Sequence, residues 1–196
     1  MLLSRFDDDL RIEHLQTPEE LANWRQRFID SYRVIFRGPP YLEDMTEELA
    51  GFSWDYLTGH PGHITLVAVN PEEVVVGFGI AVPLTVTRLV AAQLAGLVPH
   101  KYTYYLAELG VLDAYRGRGL GRVLIHERIK LMDHKLYSHV VLRVSAKRHP
   151  SADLYESMGF VDMGVYMDVS NPRIDGTVSS DRRLFMSKVL SLVDVE

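Results

Sequence analysis

Leu109-Gly110-Val111-Leu112-Asp113-Ala114-Tyr115-Arg116-Gly117-Arg118-Gly119-Leu120-Gly121-Arg122 is the stretch that decides the fold. An apolar strand ends, a turn carries glycines at the alternate positions 117, 119 and 121, and a helix begins. Glycine lets backbone approach a ligand closely and takes positive φ without a Cβ penalty. The N–H groups of a first helical turn lack intrahelical acceptors, and the macrodipole favours an anion there. Arg116, Arg118 and Arg122 add cationic donors suited to phosphate oxygens. A pyrophosphate is the ligand this arrangement suits. A P-loop is excluded because no Lys-Ser/Thr pair follows, and a dinucleotide fingerprint because the spacing is G-x-G-x-G. The run of βαβ units that a Rossmann sheet requires is missing too. On the residues alone, a tight strand-to-helix turn with solvated arginines stays open beside the anion loop.

Outward from this stretch, the chain alternates between strand and helix patterns. Residues 10–15 read as a first strand. Thr17-Pro18-Glu19-Glu20 supplies an N-cap, a proline at N1 and the acid of a capping box. The helix carries Trp24, Phe28, Tyr32 and Ile35 as an apolar stripe and stops at Gly38-Pro39-Pro40. A second helix is expected from Asp44, with Glu47 at the capping-box position, to about Gly59. Residues 64–69 and 74–82 are strands joined by an Asn70-Pro71 turn. Residues 84–100 form an insertion with a helical, apolar middle: a lid, a dimer contact or an extra packed helix. Residues 104–112 make a central strand, about 119–135 a long helix, and 139–144 a nearly pure apolar strand. Pro150 opens a short helix ending at Gly159, a C′-type glycine. Strands at about 160–169 and 183–190 flank a polar loop at 170–181. The order β-α-α-β-β-β-α-β-α-β-β is mixed α/β, without the strict alternation of a doubly wound sheet.

The 196 residues suit one domain, at 47% hydrophobic and 24% charged residues, close to soluble globular averages. A disordered, collagenous or coiled-coil chain is excluded. Twenty-one Lys and Arg against 26 Asp and Glu give a net charge of -5, so nucleic-acid binding would need a local patch. Arg116, Arg118, Arg122, Arg128 and Lys130 form one, but it overlaps the anion loop, and the overall charge argues against nucleic acid. No cysteine is present, which removes disulfides, thiolate metal sites and a cysteine acyl-enzyme. The acidic start lacks the features of a signal peptide. The most apolar stretch, residues 89–98, is about half the roughly 20 residues a membrane span needs. A cytoplasmic protein without a membrane partner is expected. The eight histidines form no recognised metal motif; His60-Pro61-Gly62-His63 offers two ligands and no third.

Arg116 to Gly121 is similar to the R-x-x-G-x-G coenzyme A loop of the GNAT acyl-CoA N-acyltransferases. Ser151-Ala152-Asp153-Leu154-Tyr155-Glu156-Ser157-Met158-Gly159-Phe160 resembles that family's second motif, A-x-x-L-Y-E-K-x-G-F. The motifs cover about residues 104–165, and the element order resembles the family over most of the chain. The resemblance implies a single mixed α+β domain over residues 1–196. Its central sheet would be mixed, mostly antiparallel and six- to seven-stranded, with helices on both faces. It implies acetyl-CoA as co-substrate, its pyrophosphate on the amides of Arg116, Gly117, Arg118, Gly119, Leu120, Gly121 and Arg122. Leu109, Gly110 and Val111 would pair with the pantetheine in a gap between splayed strands. Tyr155 matches the tyrosine that protonates the departing thiolate; a core tyrosine with a satisfied hydroxyl is the competing reading. Where the family often has Asn seven residues earlier, this chain has Arg148, followed by His149.

Glu108 is the candidate base: a lone carboxylate in an apolar strand, two residues from Gly110 on the same face. Partial burial would raise its pKa toward neutrality, which suits it to take a proton from an ammonium. A cross-strand ion pair with an arginine is the competing reading. Without cysteine or a G-x-S-x-G elbow, transfer should be direct, in a ternary complex. By resemblance, the Val111 N–H would polarise the thioester carbonyl. The resemblance places the acceptor among residues 39–44, Tyr104-Tyr105 and Met167-Asp168. Tyr41, Glu43, Tyr104 and Tyr105 are its candidate contacts, aromatic and acidic groups suited to a cationic amine. The same residues could equally be packing and helix-capping groups. The expected activity is N-acetyl transfer to a small-molecule amine by a monomer or homodimer. The alternatives are a protein N-terminal or lysine acetyltransferase and a non-catalytic acyl-CoA sensor.

Overall fold

The structure, a computed structural model, describes residues 1–7, 9–147 and 150–191; Arg148 and His149, and with them the departure from the family's second motif, lie outside the described residues. The strands are β1 (Leu2–Phe6), β2 (Leu10–Leu15), β3 (Ile64–Val69), β4 (Val75–Pro83), β5 (Thr103–Val111), β6 (His139–Ser145), β7 (Val161–Pro172) and β8 (Val178–Val189). They form one eight-stranded sheet in the order β1-β2-β3-β4-β5-β6-β8-β7. Every neighbouring pair is antiparallel except β5 and β6. The helices are α1 (Pro18–Arg37), α2 (Glu47–Thr58), α3 (Arg88–Gln93), α4 (Leu120–Lys130) and α5 (Pro150–Ser157). β3 and β4 are buried almost throughout, because α1 and α2 cover one face of the sheet and α4 the other.

Local sequence explains these elements. Thr17 caps α1: its hydroxyl accepts the Glu20 N–H at 3.2 Å, and Glu20 accepts the Thr17 N–H at 3.1 Å. The apolar stripe then packs Phe28 against Trp54 at 4.6 Å and Phe78 at 4.7 Å between ring centres, an aromatic cluster worth about 0.5–1.5 kcal/mol per pair beyond area burial.

Four boundaries differ from expectation for physical reasons. β1 adds an eighth strand at the sheet edge, where a strand needs no apolar alternation, and pairs antiparallel with β2. α2 starts at Glu47 because Thr46 is the cap, accepting the Leu49 N–H at 3.2 Å. The Asp44 N–H instead donates to the Pro172 carbonyl at 2.8 Å. α4 stops at Lys130, and the Asp133 carboxylate beyond it accepts the Lys135 N–H at 2.9 Å, a local bond that competes with helix. The polar residues read as a loop extend β7 and β8 into a two-sided ribbon, leaving only 173–177 as the turn.

β5 sets the position of everything that follows. Opposite β4, Ile80 pairs with Glu108 but Ala81 with Leu106, so Ala107 is a bulge. A bulge inserts one residue and bends the strand; it also reverses the facing of every side chain beyond it. Tyr104 and Leu106 therefore face one side with Ile129 of α4, while Tyr105 lies on the other with α1 and α2. After the bulge, Glu108 joins the Tyr105 side, near the Tyr32 hydroxyl. The pairing of β5 with β6 ends at Leu106 opposite Leu142. β6 continues instead with β8 as far as Ser145 opposite Arg183. The two parallel strands part, and one edge of Ala107 to Val111 is left open.

Arg128 of α4 sits fully buried behind the bulge. Its Nη1 donates to the Ile80 carbonyl at 3.1 Å and the Glu108 carbonyl at 2.8 Å, and its Nε to Leu124 at 3.0 Å. Burial lowers its pKa to about 10, which leaves it a cation at neutral pH. Gly79 gives it room: a Cβ there would lie 2.7 Å from Nε.

Candidate active site

The glycine loop delivers an uncapped helix start. Gly117 and Gly119 adopt φ of 74° and 91°, the left-handed region that favours glycine. No side chain caps Gly119, and the first backbone bond of α4 runs from the Val123 N–H to the Gly119 carbonyl at 3.2 Å. The amides that open α4 therefore lack helical acceptors. They border a cavity of about 510 Å³ that continues along Leu109, Gly110 and Val111 and ends at Ser151 and Leu154 of α5. Its walls combine exposed backbone donors with apolar side chains, which fits a pyrophosphate followed by a pantetheine chain. Gly119→Val forces a β-branched residue into left-handed backbone, strain of about 1–2 kcal/mol. The expected result is at least about tenfold weaker acetyl-CoA binding by calorimetry, with the melting transition retained.

The three arginines divide. Arg122 borders the cavity and donates from Nη2 to the Ser157 hydroxyl at 2.8 Å. Arg116 also borders it, but its Nε is taken by the Val111 carbonyl at 3.0 Å and its Nη1 by Asp113 at 3.2 Å. Arg118 turns away: it pairs with Asp7 at 2.8 Å and stacks over Tyr115. Its side chain, expected as a phosphate donor, instead ties the loop to the β1–β2 turn. Gly110 borders the cavity as expected, yet a Cβ there would run into the Phe78 ring behind it. Gly110→Ala should therefore cost about 1–3 kcal/mol by overpacking, read by chemical denaturation without ligand.

Where β5 and β6 part, a second cavity of about 410 Å³ holds Tyr41, Glu43, Glu108 and Tyr155 in its lining. Tyr155 is buried against Phe160. Burial raises its hydroxyl to about 12, partly offset by the nearby Arg128 cation, so at neutral pH it carries the proton a general acid must donate. Glu108 also lines a cavity of about 630 Å³ toward α2 and one of about 440 Å³ toward α1 and β7. It stands where all three meet. Desolvation raises its pKa to about 7, against the lowering effect of the Arg143 charge and of the Tyr32 hydroxyl.

The acceptor candidates separate by face. Tyr105 lines the 630 Å³ and 440 Å³ cavities and accepts a hydrogen bond from Arg143 Nε at 2.8 Å. Tyr104, one residue earlier, faces the opposite side: it packs on Tyr137 at 4.2 Å and donates to the Gly62 carbonyl at 2.9 Å. It does not reach the cavities that Glu108 lines. Glu43 is buried, accepts from Asn171 Nδ2 at 2.9 Å and lies 4.0 Å from Arg183. Burial pushes its carboxyl up, with Arg183 opposing.

Tyr32 and Arg143 carried no site reading in the sequence, and Arg128, read as part of a local basic patch, is fully buried and so takes no part in one. Arg143 interrupts the run Val140-Val141-Leu142-Arg143-Val144, as Glu108 interrupts its own strand. The same signal could have found it. Among the described residues no group of three or more His, Cys, Asp or Glu is placed to hold a metal ion, and no helix is long and apolar enough to cross a membrane. Residues 86–90 of the 84–100 insertion wall the 630 Å³ cavity.

A sheet that parts beside an uncapped helix start is the arrangement that the resemblance to the GNAT acyltransferases implied. A sequence model of the Acetyltransferase (GNAT) family matches residues 20–160. The chain belongs to that family. A Mus musculus protein described as probable N-acetyltransferase family 8 member 5 is 34% identical over 65 residues, 33% of this chain and 29% of the mouse protein. The chain thus matches less than a third of that relative's length. The ribosomal-protein-alanine N-acetyltransferase from Brucella melitensis is 21% identical, with a TM-score of 0.61 over 91% of this chain and 99% of that one. Arabidopsis thaliana NAA60, crystallised with acetyl-CoA, is 17% identical, with a TM-score of 0.61 over 92% of this chain and 98% of that one. At such identities the shared property is the fold.

Proposed function

We propose that the chain transfers the acetyl group of acetyl-CoA to a primary amine of a small molecule, by direct attack in a ternary complex. One observation carries this reading: Glu108 and Tyr155 line the same cavity at the parting of β5 and β6. Glu108 takes a proton from the acceptor ammonium, directly or through water. The amine nitrogen attacks the thioester carbonyl carbon, whose oxygen the Val111 N–H polarises. As the C–N bond forms and the C–S bond breaks, Tyr155 gives its proton to the thiolate, and the surplus proton on the new amide nitrogen passes back, directly or through water, to the Tyr155 phenolate. The products are the N-acetyl amide and CoA, with one proton released when Glu108 and Tyr155 return to their starting states.

A small acceptor is favoured by the seam across the acceptor side. The Asp44 and Ile174 amides donate to Pro172 and Leu42 at 2.8 and 3.2 Å, and Glu43 bridges to Arg173. This stitches the α1–α2 loop to the β7–β8 hairpin over the cavities that Glu43 and Asn171 line, which disfavours a polypeptide. The Brucella relative's name describes transfer to a protein alanine, so ribosomal peptides belong in the acceptor panel.

CoA release can be followed with a thiol-reactive dye, with no protein background because the chain has no cysteine. Initial rates with varied acetyl-CoA and amine should give intersecting reciprocal lines. Parallel lines, the mark of an acyl-enzyme, contradict the mechanism, and CoA release with no amine on the panel contradicts the function.

A further inference from the structure

Arg143 projects into the acceptor side of the site without a contacting counter-ion. It lines each of the three cavities that Glu108 lines. Its Nε donates to the Tyr105 hydroxyl at 2.8 Å, and its Nη1 reaches only the Met167 sulfur at 3.4 Å. Among the described residues no carboxylate lies within ion-pair distance of it. Arg183 on β8 behaves differently: Asp181 accepts from its Nε at 2.8 Å and Glu43 approaches at 4.0 Å. A half-buried guanidinium normally finds an acceptor for its donors, because an unpaired buried charge is costly. Its planar fork matches a carboxylate in two-point contact.

The neighbours of this cation define the rest of the ligand. Glu108, the carboxylate placed to receive a proton from an ammonium, borders the same space. From there the 630 Å³ cavity runs between α2 and residues 86–90, walled by Phe52, Tyr56, Leu57, Val86, Val90 and Met167. The site thus offers a negative group, a positive group and an apolar cleft at one junction. We infer that the acceptor is an α-amino acid with a large apolar side chain: its ammonium on Glu108, its carboxylate on Arg143 and its side chain in the cleft. This rests on the acetyl-transfer reading and narrows it to one substrate class.

Phenylalanine, phenylalaninamide and phenethylamine test it, because they share a ring and an amine and differ only in the carboxylate. Assays at pH 8.5, above the titration of Glu108, keep changes in that group's ionisation from obscuring the comparison. In the wild-type protein, kcat/KM for phenylalanine should exceed that for each other amine by about tenfold to a hundredfold. In Arg143→Gln the ratio of phenylalanine to phenethylamine should fall toward one. Equal or better use of phenethylamine or the amide by the wild type overturns the inference, whether or not the variant folds. So does an Arg143→Gln protein that slows all three amines alike, which would make Arg143 an internal counter-ion for Glu108. Transfer to other amines but to none of these three also overturns it while leaving acetyl transfer standing. Failure to release CoA with any amine is the different result that removes the underlying activity, and the inference with it.

Discussion

Replacing Glu108 by glutamine should lower kcat by about 100-fold, the scale of a lost general base, at saturating acetyl-CoA and amine. The amide keeps the shape of the side chain, so folding should be little affected. The same residue fixes the pH dependence. Glu108 must be ionised to accept a proton, and desolvation raises its pKa to about 7. The wild-type rate should therefore rise with pH through about 7 and level off above it, opposite in sign to a mechanism that needs the protonated carboxyl. Glu108→Gln should lose that limb. A variant that retains wild-type turnover and the same profile removes Glu108 from the chemistry.

Tyr155→Phe is the second large effect. Removing the hydroxyl deletes the proposed acid for the leaving thiolate, and kcat and kcat/KM should fall together by about 100-fold or more. Burial holds the hydroxyl at about 12, so Tyr155 stays protonated across the assay range and adds no alkaline limb below that pH. Acetyl-CoA affinity by calorimetry separates this role from packing. A catalytic hydroxyl leaves binding nearly intact, whereas loss of binding in parallel with rate would make Tyr155 a wall of the coenzyme cavity.

The sequence made parts of this site readable and hid others. The glycine loop was legible because positive φ and an uncapped helix start are local properties, written in residues 116–122. The capping box of α1 was legible for the same reason. Glu108 stood out because a carboxylate inside an apolar strand has few bland explanations. What local pattern could not give was the bulge at Ala107. It changes which residues share a face, so Tyr105 comes to the cavity with Glu108 while Tyr104 goes to the other side. Arg118 was misread because its partner, Asp7, lies 111 residues away. Residues 170–172 and 178–181, the far ends of β7 and β8, read as loop because there the sequence is polar and the apolar alternation of Val161 to Val169 stops.

The opening between Gly119 and Leu109 is proposed as a coenzyme A site. Calorimetric titration of the folded protein with acetyl-CoA, with NADH as control, tests it most directly. The account predicts saturable binding of one acetyl-CoA per chain and none of NADH. Absence of acetyl-CoA binding in a demonstrably folded sample would contradict it, leaving the glycine loop a structural turn alone.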